Sequence, residues 1–239
     1  MPEDKLPVEI MTQTSDYVAS GAKAVLGAVP FVGSLLAEVA SSIIPNQRVD
    51  RIADFAFQLQ TRIKQLEHTR VHSELNDTEF TDLLEESLRQ ASRATSEERR
   101  QYLASLVAHS LTSDAIEHAE SKHLMRILGE LNDVEVLWLR FFCGNTLDDD
   151  KEFRTRHSLI FKPRSATLGS NQIELDDYAI QKSYKDHLVR LGLVTEHIKK
   201  SRDGTPEYDK FSGQPKVNYR DASTLGRLLL RSIGMISDE

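Results

Sequence analysis

The sequence has very little cysteine. Cys143 is the only cysteine in 239 residues, so the chain cannot form an internal disulfide. Disulfide frameworks are typical of small secreted proteins, and none is available here. The N-terminal residues MPEDKLPVEIMTQTSDY also lack the basic stretch and apolar run of a secretion signal. We therefore expect a protein that works in the reducing cytoplasm.

Long hydrophobic runs are missing as well. The most apolar stretch, GAVPFVGSLLAEVASSIIPNQR, covers residues 27–48, and only 14 uncharged residues follow one another from Ala24 to Ala37. A spanning helix needs about 20 apolar residues, and Pro30 interrupts the helical hydrogen-bond ladder. We favour a small-residue hairpin that packs against amphipathic helices. The alternative is a latent segment, residues 22–44, that perturbs a membrane after a trigger.

Basic residues are not in excess. The formal net charge is −7, and all of the excess acid lies in residues 1–132, which contain 13 Lys and Arg against 20 Asp and Glu. Residues 133–239 contain 17 of each. Binding to phosphates needs locally unpaired Lys or Arg. The second part of the chain is therefore the place to look for contacts with nucleic acid.

Catalytic signatures are also lacking. The sequence has no GxGxxG or GxxxxGK[ST] phosphate loop, no HExxH zinc helix, no GxSxG elbow and no CxxC pair. We interpret Cys143, close to Trp138 and Phe142, as a small buried hydrophobe. His68 and His72 lie four residues apart, but no third ligand is forced onto their helix face. We expect a protein that is not an enzyme and that holds neither a cofactor nor a metal.

Helix signals are abundant from residue 46 onward. Apolar residues recur at alternating steps of three and four after an N-cap at Asn46, which predicts a helix with an a/d seam. Phe55 and Phe57 are expected to widen the apolar face. The seam consists of Val49, Ile52, Ala56, Leu59, Ile63 and Leu66.

Three further helices have capping pairs at their starts. The pairs are Asn76 with Glu79, Thr95 with Glu98, and Asp114 with Glu117, and each precedes an apolar stripe. Short polar connections between them are typical of an up-and-down bundle. We predict a polar tail over residues 1–14 and a helical bundle over residues 15–131, within a mainly α fold.

The second part changes character along its length. Asp133 is expected to cap a short buried helix, VEVLWLRFF, and residues 144–176 look like an irregular insertion. A helical stretch then ends near Gly192 and VTEHI alternates like a strand. Asp203-Gly204 indicates a turn, VNY a second strand, and STLGRLLLRSIG a closing helix.

HLVRLGLV at residues 187–194, followed by this hairpin, resembles the third helix and wing of winged-helix domains. The resemblance covers residues 133–239 and implies a winged-helix-like α+β module that recognises DNA or protein. Acidic residues share the helix and the wing, which weakens the DNA interpretation. GAVPFVGSLLAE with IPNQR is similar to a pattern in uncharacterised bacterial helical proteins. The candidate binding residues, all expected at the surface, are Gln181, Lys182, Lys185, Arg190, Lys199, Lys200 and Arg202.

These features together favour a bacterial interaction protein of the cytoplasm, an adaptor or regulatory subunit of a larger assembly. The expected partner is another protein or a second copy of the chain, giving an oligomer. A DNA-binding regulator that uses the winged-helix-like module is one alternative. A membrane-perturbing effector that uses residues 22–44 is the other.

Overall fold

The computed structural model describes residues 48–64, 77–112, 118–144, 150–167, 169–209 and 213–237. Within these ranges the chain forms nine helices and, near its C-terminus, a two-stranded antiparallel sheet. The predicted mainly α fold is confirmed. The described residues divide into two compact units. The first extends to Gly129 and includes Ser232–Gly234; the second contains Glu130–Arg231 and the described residues from Met235.

The first unit is built from four helices: α1 Val49–Ile63, α2 Thr78–Arg93, α3 Glu97–Thr112 and α4 His118–Glu130. Of these four, helices α1, α2 and α3 contact one another, and α1 packs most extensively on α3. Apolar residues at helical spacing fill the interior because each helix buries one face. The predicted helical bundle is confirmed for this part of the chain. Its buried side chains include Phe55, Phe80, Leu83, Leu84, Leu88, Leu103, Leu106 and Leu111.

The predicted seam is buried wherever its side chains are described. Ile52, Ala56, Leu59 and Ile63 are all almost completely covered, and Phe55 joins them. The Val49 side chain and Leu66 lie outside the described part. Phe57 was expected to widen the apolar face, but its side chain is 62% exposed, so that prediction is wrong. It lies two residues beyond Phe55, about 200° around the helix, and so points away from the core.

Helix starts lie close to their predicted positions, but three described caps shift by one residue. The α3 cap is Ser96, whose hydroxyl accepts a hydrogen bond from the Arg99 backbone at 3.2 Å, rather than Thr95. Asn132, rather than Asp133, caps the next helix. In α2, Asp77 accepts backbone bonds from the first turn. The cap of α2 is therefore Asp77 rather than the predicted Asn76. The expected caps at Asn46 and Asp114 lie outside the described residues.

The second unit begins with α5 Asp133–Cys143, α6 Lys151–Arg156 and α7 Ser158–Phe161, followed by the long helix α8 Gln172–Arg190. The strands β1 Val194–Ile198 and β2 Val217–Ala222 come next, and α9 Thr224–Ser232 closes the chain, with Ser232 grouped in the first unit. Val194 pairs with Ala222 and Ile198 with Val217, and the register is irregular between His197 and Ile198. The predicted strands and closing helix are confirmed.

Residues 144–176 are more ordered than the sequence suggests. They contain α6, α7 and the first turn of α8, so the predicted irregular insertion is wrong for much of this range. Aromatic packing explains the two short helices, because the Phe161 ring meets Trp138 edge-on at 5.1 Å between ring centroids. Asn171 and Glu174 form a capping box that starts α8.

None of the described helices is long and apolar enough to cross a membrane. Residues 22–44, on which the membrane alternative depends, lie outside the described residues. That alternative stays a prediction.

Candidate binding groove

A groove of about 1010 Å³ lies within the second unit. It is bounded by α8, by the segment of residues 164–167 that follows α7, and by the hairpin that joins β1 to β2. We call it the α8 groove. Its charged lining residues, within the described part of the chain, are Arg164, Lys182, Lys185, Asp209 and Arg220. Four of these five are cations, so the groove is more positive than the balanced composition of residues 133–239 suggests.

Gln181 forms the floor of the α8 groove. Its side chain was expected at the surface, but it is 9% exposed, so that expectation is wrong. Its Nε2 donates to the Lys162 carbonyl at 2.9 Å. Its Oε1 accepts from the Arg164 backbone at 3.3 Å and from Lys185 Nζ at 3.1 Å. Gln181 therefore ties α8 to the segment after α7 and positions two of the four cations.

Lys185 is a partly buried cation next to this floor. Its Nζ lies over the Trp138 ring, 4.2 Å from the centroid. Burial lowers the pKa of Lys185, and the neighbouring Arg220 lowers it further, while Asp186 partly opposes both. No carboxylate of the described residues lies within ion-pair distance of Lys185. Its direct contacts are an amide oxygen and an aromatic face, and the carboxylate of Asp186 acts on its charge only from beyond ion-pair distance.

The other cations of the groove have carboxylate partners. Arg164 Nη1 lies 3.2 Å from Asp177, and Lys182 pairs with Asp186 one helical turn away. Both pairs are partly exposed, where an ion pair contributes about 0–1 kcal/mol. These contacts orient the side chains without fixing them strongly.

Arg220 extends from β2 into the same groove. Its Nε donates to Glu196 on β1 at 2.8 Å, so the cross-strand pair holds the guanidinium in place. Its Nη2 also lies 3.9 Å from Asp186 on α8. A guanidinium has five N–H donors, and these two carboxylates do not use all of them. Arg220 therefore keeps donors for a ligand while it remains anchored to the sheet.

Tyr178 supplies an aromatic surface in the groove. Its side chain is 37% exposed, and it lies on α8 seven residues before Lys185. Tyr178, Arg164 and Arg220 were not among the candidate binding residues. Arg220 lies just after the predicted strand VNY, within β2.

The remaining predicted binding residues lie outside the α8 groove. All four are exposed, as expected, and Lys199 pairs with Glu207 at 2.9 Å. Their participation in binding stays a prediction. They are Arg190, Lys199, Lys200 and Arg202.

The most exposed face of α8 is not positive. It is formed by residues at steps of three and four that are all exposed: Asp176, Ala179, Ser183, Asp186 and Arg190. This face contains two carboxylates and one guanidinium. The positive side of the helix is the side that lines the groove.

Potential reactive and metal-binding groups give no second site in the described part of the chain. Cys143 is buried, as predicted, and burial raises the pKa of its thiol. Arg227 Nη1 lies 3.3 Å from its Sγ and donates to its carbonyl. The described residues contain no cluster of three or more His, Cys, Asp or Glu suited to a metal. His68 and His72 lie outside them.

Comparison with known proteins identifies a family for this chain. A family model described as abortive infection alpha matches residues 49–232, a range that includes every described helix and strand. No curated protein and no solved structure matches the chain significantly.

Proposed function

This chain belongs to the abortive infection alpha family, and on that premise we propose a bacterial phage-defence protein that binds a partner rather than catalysing a reaction. Abortive infection is a defence in which the infected cell stops growing or dies before phage progeny are released. The chain acts within it as an adaptor or regulatory subunit of a larger assembly.

The α8 groove is the observation on which this proposal depends. Its described lining consists of cations, amides, small residues, one tyrosine and one carboxylate, which are groups that recognise charge and shape. No histidine base stands beside a nucleophile among these lining residues. Recognition of a partner therefore fits the chemistry of the groove better than catalysis does.

The order of elements in the second unit supports a winged-helix-like module. Helix α8 ends at Arg190, Gly192 follows two residues later with a φ of +71°, and β1, a hairpin and β2 come next. This order agrees with a third helix and a wing. A DNA-binding regulator is the second candidate function, and the observation in its favour is the exposed cations of the hairpin, Lys199, Lys200 and Arg202.

Exposed apolar side chains support a protein partner or self-association. Leu159, Ile173 and Ile180 are large hydrophobic residues that the described chain leaves exposed. Such side chains are commonly covered in protein interfaces. They are compatible with an adaptor that uses the groove for one ligand and an apolar surface for another.

Phage challenge of bacteria that express the chain tests the proposal. We expect wild-type cells to give fewer plaques than empty-vector cells, with fewer infected cells surviving to release phage. The Arg164→Gln/Lys185→Gln variant should lose this protection, because it removes two groove cations. The control Lys199→Gln/Lys200→Gln removes the same charge from the exposed hairpin and should keep it. Protection by the groove variant equal to wild type, with both variants folded by circular dichroism, would contradict the proposal.

A further inference from the structure

We infer that the α8 groove binds single-stranded nucleic acid, with phosphates contacting Lys185, Arg164 and Arg220 and a base stacking on Tyr178. This inference rests on the proposed function, since it names the class of partner that the groove recognises. It assigns the ligand to the groove side of α8 and not to the face that a winged helix would insert into duplex DNA.

The phosphate contacts follow from the electrostatics of Lys185. Its ammonium is half-buried beside Trp138, close to Arg220, and without a carboxylate partner in the described residues. Burial and a neighbouring cation both disfavour its positive charge. An anion in the groove reverses both effects, because it pairs with the ammonium and reduces the repulsion between the two cations.

Arg164 and Arg220 place further donors around the same space. Arg164 follows α7 and Arg220 lies on β2, so the cations line different walls of the groove. Guanidinium groups match the oxygens of phosphate by paired N–H donors. A backbone of regularly spaced phosphates is the ligand that uses several cations of this kind together.

The base contact follows from Tyr178. Tyr178 and Lys185 are seven residues apart on α8, which places them roughly 10 Å apart along the helix axis, a length that about three stacked nucleotides cover. Aromatic side chains beside a positive groove are the usual stacking platforms of proteins that bind single strands. Tyr178 is exposed enough to offer its ring face.

The shape of the groove favours part of a polymer over a small molecule. Its volume of about 1010 Å³ lies at the upper end of small-molecule sites, which range over about 300–1,000 Å³. Many lining residues, among them Arg164, Thr167 and Lys182, are exposed, whereas Gln181 at the floor is buried. An open groove with a buried floor suits a nucleic-acid strand that lies along it.

Two other polyanions fit less well. Duplex DNA would meet the most exposed face of α8, where Asp176 repels phosphate and Asp186 is already paired with Lys182. An acidic peptide would pair with the cations, but its carboxylates leave the ring of Tyr178 without a stacking partner. The single strand is the class that uses both the charges and the ring.

Fluorescence anisotropy with a labelled oligothymidylate of about 12 nucleotides, within the site sizes known for single-strand binding folds, tests the inference. The full-length chain should bind it, and affinity should fall linearly with the logarithm of salt concentration. Lys185→Gln should weaken binding about tenfold and reduce the salt slope by about 0.7. Tyr178→Ala should weaken binding about tenfold and leave the slope unchanged.

Matched controls separate these effects from general charge or folding. Lys151→Gln removes an exposed lysine outside the groove, and Tyr208→Ala removes an exposed tyrosine outside it. Both should bind the oligonucleotide as wild type does. Circular dichroism checks the folding of each variant, because tryptophan fluorescence will itself respond to changes at Lys185.

Competition experiments decide among ligand classes. Thymidine monophosphate and a glutamate peptide of matched charge should compete poorly with the labelled strand. Equal competition by either one, or no binding of the strand even at low salt, overturns the inference. If the strand does not bind but the groove variant still loses phage protection, the proposed function stands and only the ligand class is wrong. If the strand binds and the groove variant still protects, the proposed function fails instead.

Discussion

Gln181 shows how one neutral side chain organises a charged surface. Its amide bridges α8 and the segment after α7 and holds both the Arg164 backbone and the Lys185 ammonium. A buried amide that loses its partners would cost about 1–3 kcal/mol, so these bonds strongly favour one arrangement. The cations of the groove are therefore positioned before a ligand arrives. Preorganisation of this kind reduces the entropy that binding must overcome.

Asp203 provides a residue-level prediction about pH. The Ser201 hydroxyl, the Thr205 hydroxyl and the Thr205 backbone all donate to its carboxylate and lower its pKa from 3.8 to about 2. Because the folded pKa is depressed, this stabilisation of the turn is complete above pH 3.8 and is lost as the pH falls toward about 2. Carboxyl NMR shifts should give a midpoint near 2 for wild type and a higher one for Ser201→Ala. A wild-type midpoint near 3.8 would contradict this hydrogen-bonding pattern.

The exact residue at which each helix begins could not be predicted from the sequence alone. Two cap-forming residues follow one another in Thr95-Ser96 and again in Asn132-Asp133. Either member of each pair has the required side-chain oxygen. The choice between them depends on how the helix packs, so each helix start could be predicted only to within one residue. The burial of Gln181 could not be predicted either, because the sequence does not show that its amide hydrogen-bonds to backbone carbonyls of a distant segment.

The helix α1 allows a matched prediction about packing. Leu59 and Phe57 lie two residues apart on the same helix, but Leu59 is 1% exposed and Phe57 is 62% exposed. Leu59→Ala should lower the free energy of unfolding by about 2–5 kcal/mol, because it leaves a cavity in the core. Phe57→Ala should change it by less than about 0.5 kcal/mol. Urea unfolding followed by far-UV circular dichroism measures both, and equal losses would contradict the orientation of α1.

Elements with local signals were predictable, whereas the elements around the groove were not. The periodicity of Ile52, Ala56 and Leu59 indicates α1 directly, and Gly192 marks the end of α8. The helices α6 and α7 have only six and four residues, too short to show a period. They form because Phe161 of α7 packs on Trp138 and Phe153 of α6 packs on Phe161, and the contact with Trp138 joins residues distant in the sequence. The groove depends on these helices and was therefore missed.

At the scale of the whole molecule, charge is separated along the chain. The net charge is −7, and the excess of acid lies in residues 1–132, whereas residues 133–239 are balanced. Within that balanced part, the cations gather on the groove side of α8 and carboxylates occupy its most exposed face. A polyanion is therefore disfavoured by the acidic composition of residues 1–132 and attracted to the cations of the α8 groove. The affinity for a polyanion should therefore depend on whether it fits into the α8 groove.

This charge distribution predicts discrimination between single and double strands. At about 150 mM salt, a random-sequence duplex should bind at least tenfold more weakly than a single strand of the same length, because its paired bases cannot stack on Tyr178 and its phosphates meet Asp176 on the exposed face of α8. Anisotropy titrations with one labelled strand, alone and annealed to its complement, measure the ratio directly. Asp176→Lys should raise duplex affinity more than single-strand affinity, since it changes only the exposed face. Duplex binding equal to or tighter than single-strand binding would instead favour the winged-helix mode, in which the exposed face of α8 reads DNA.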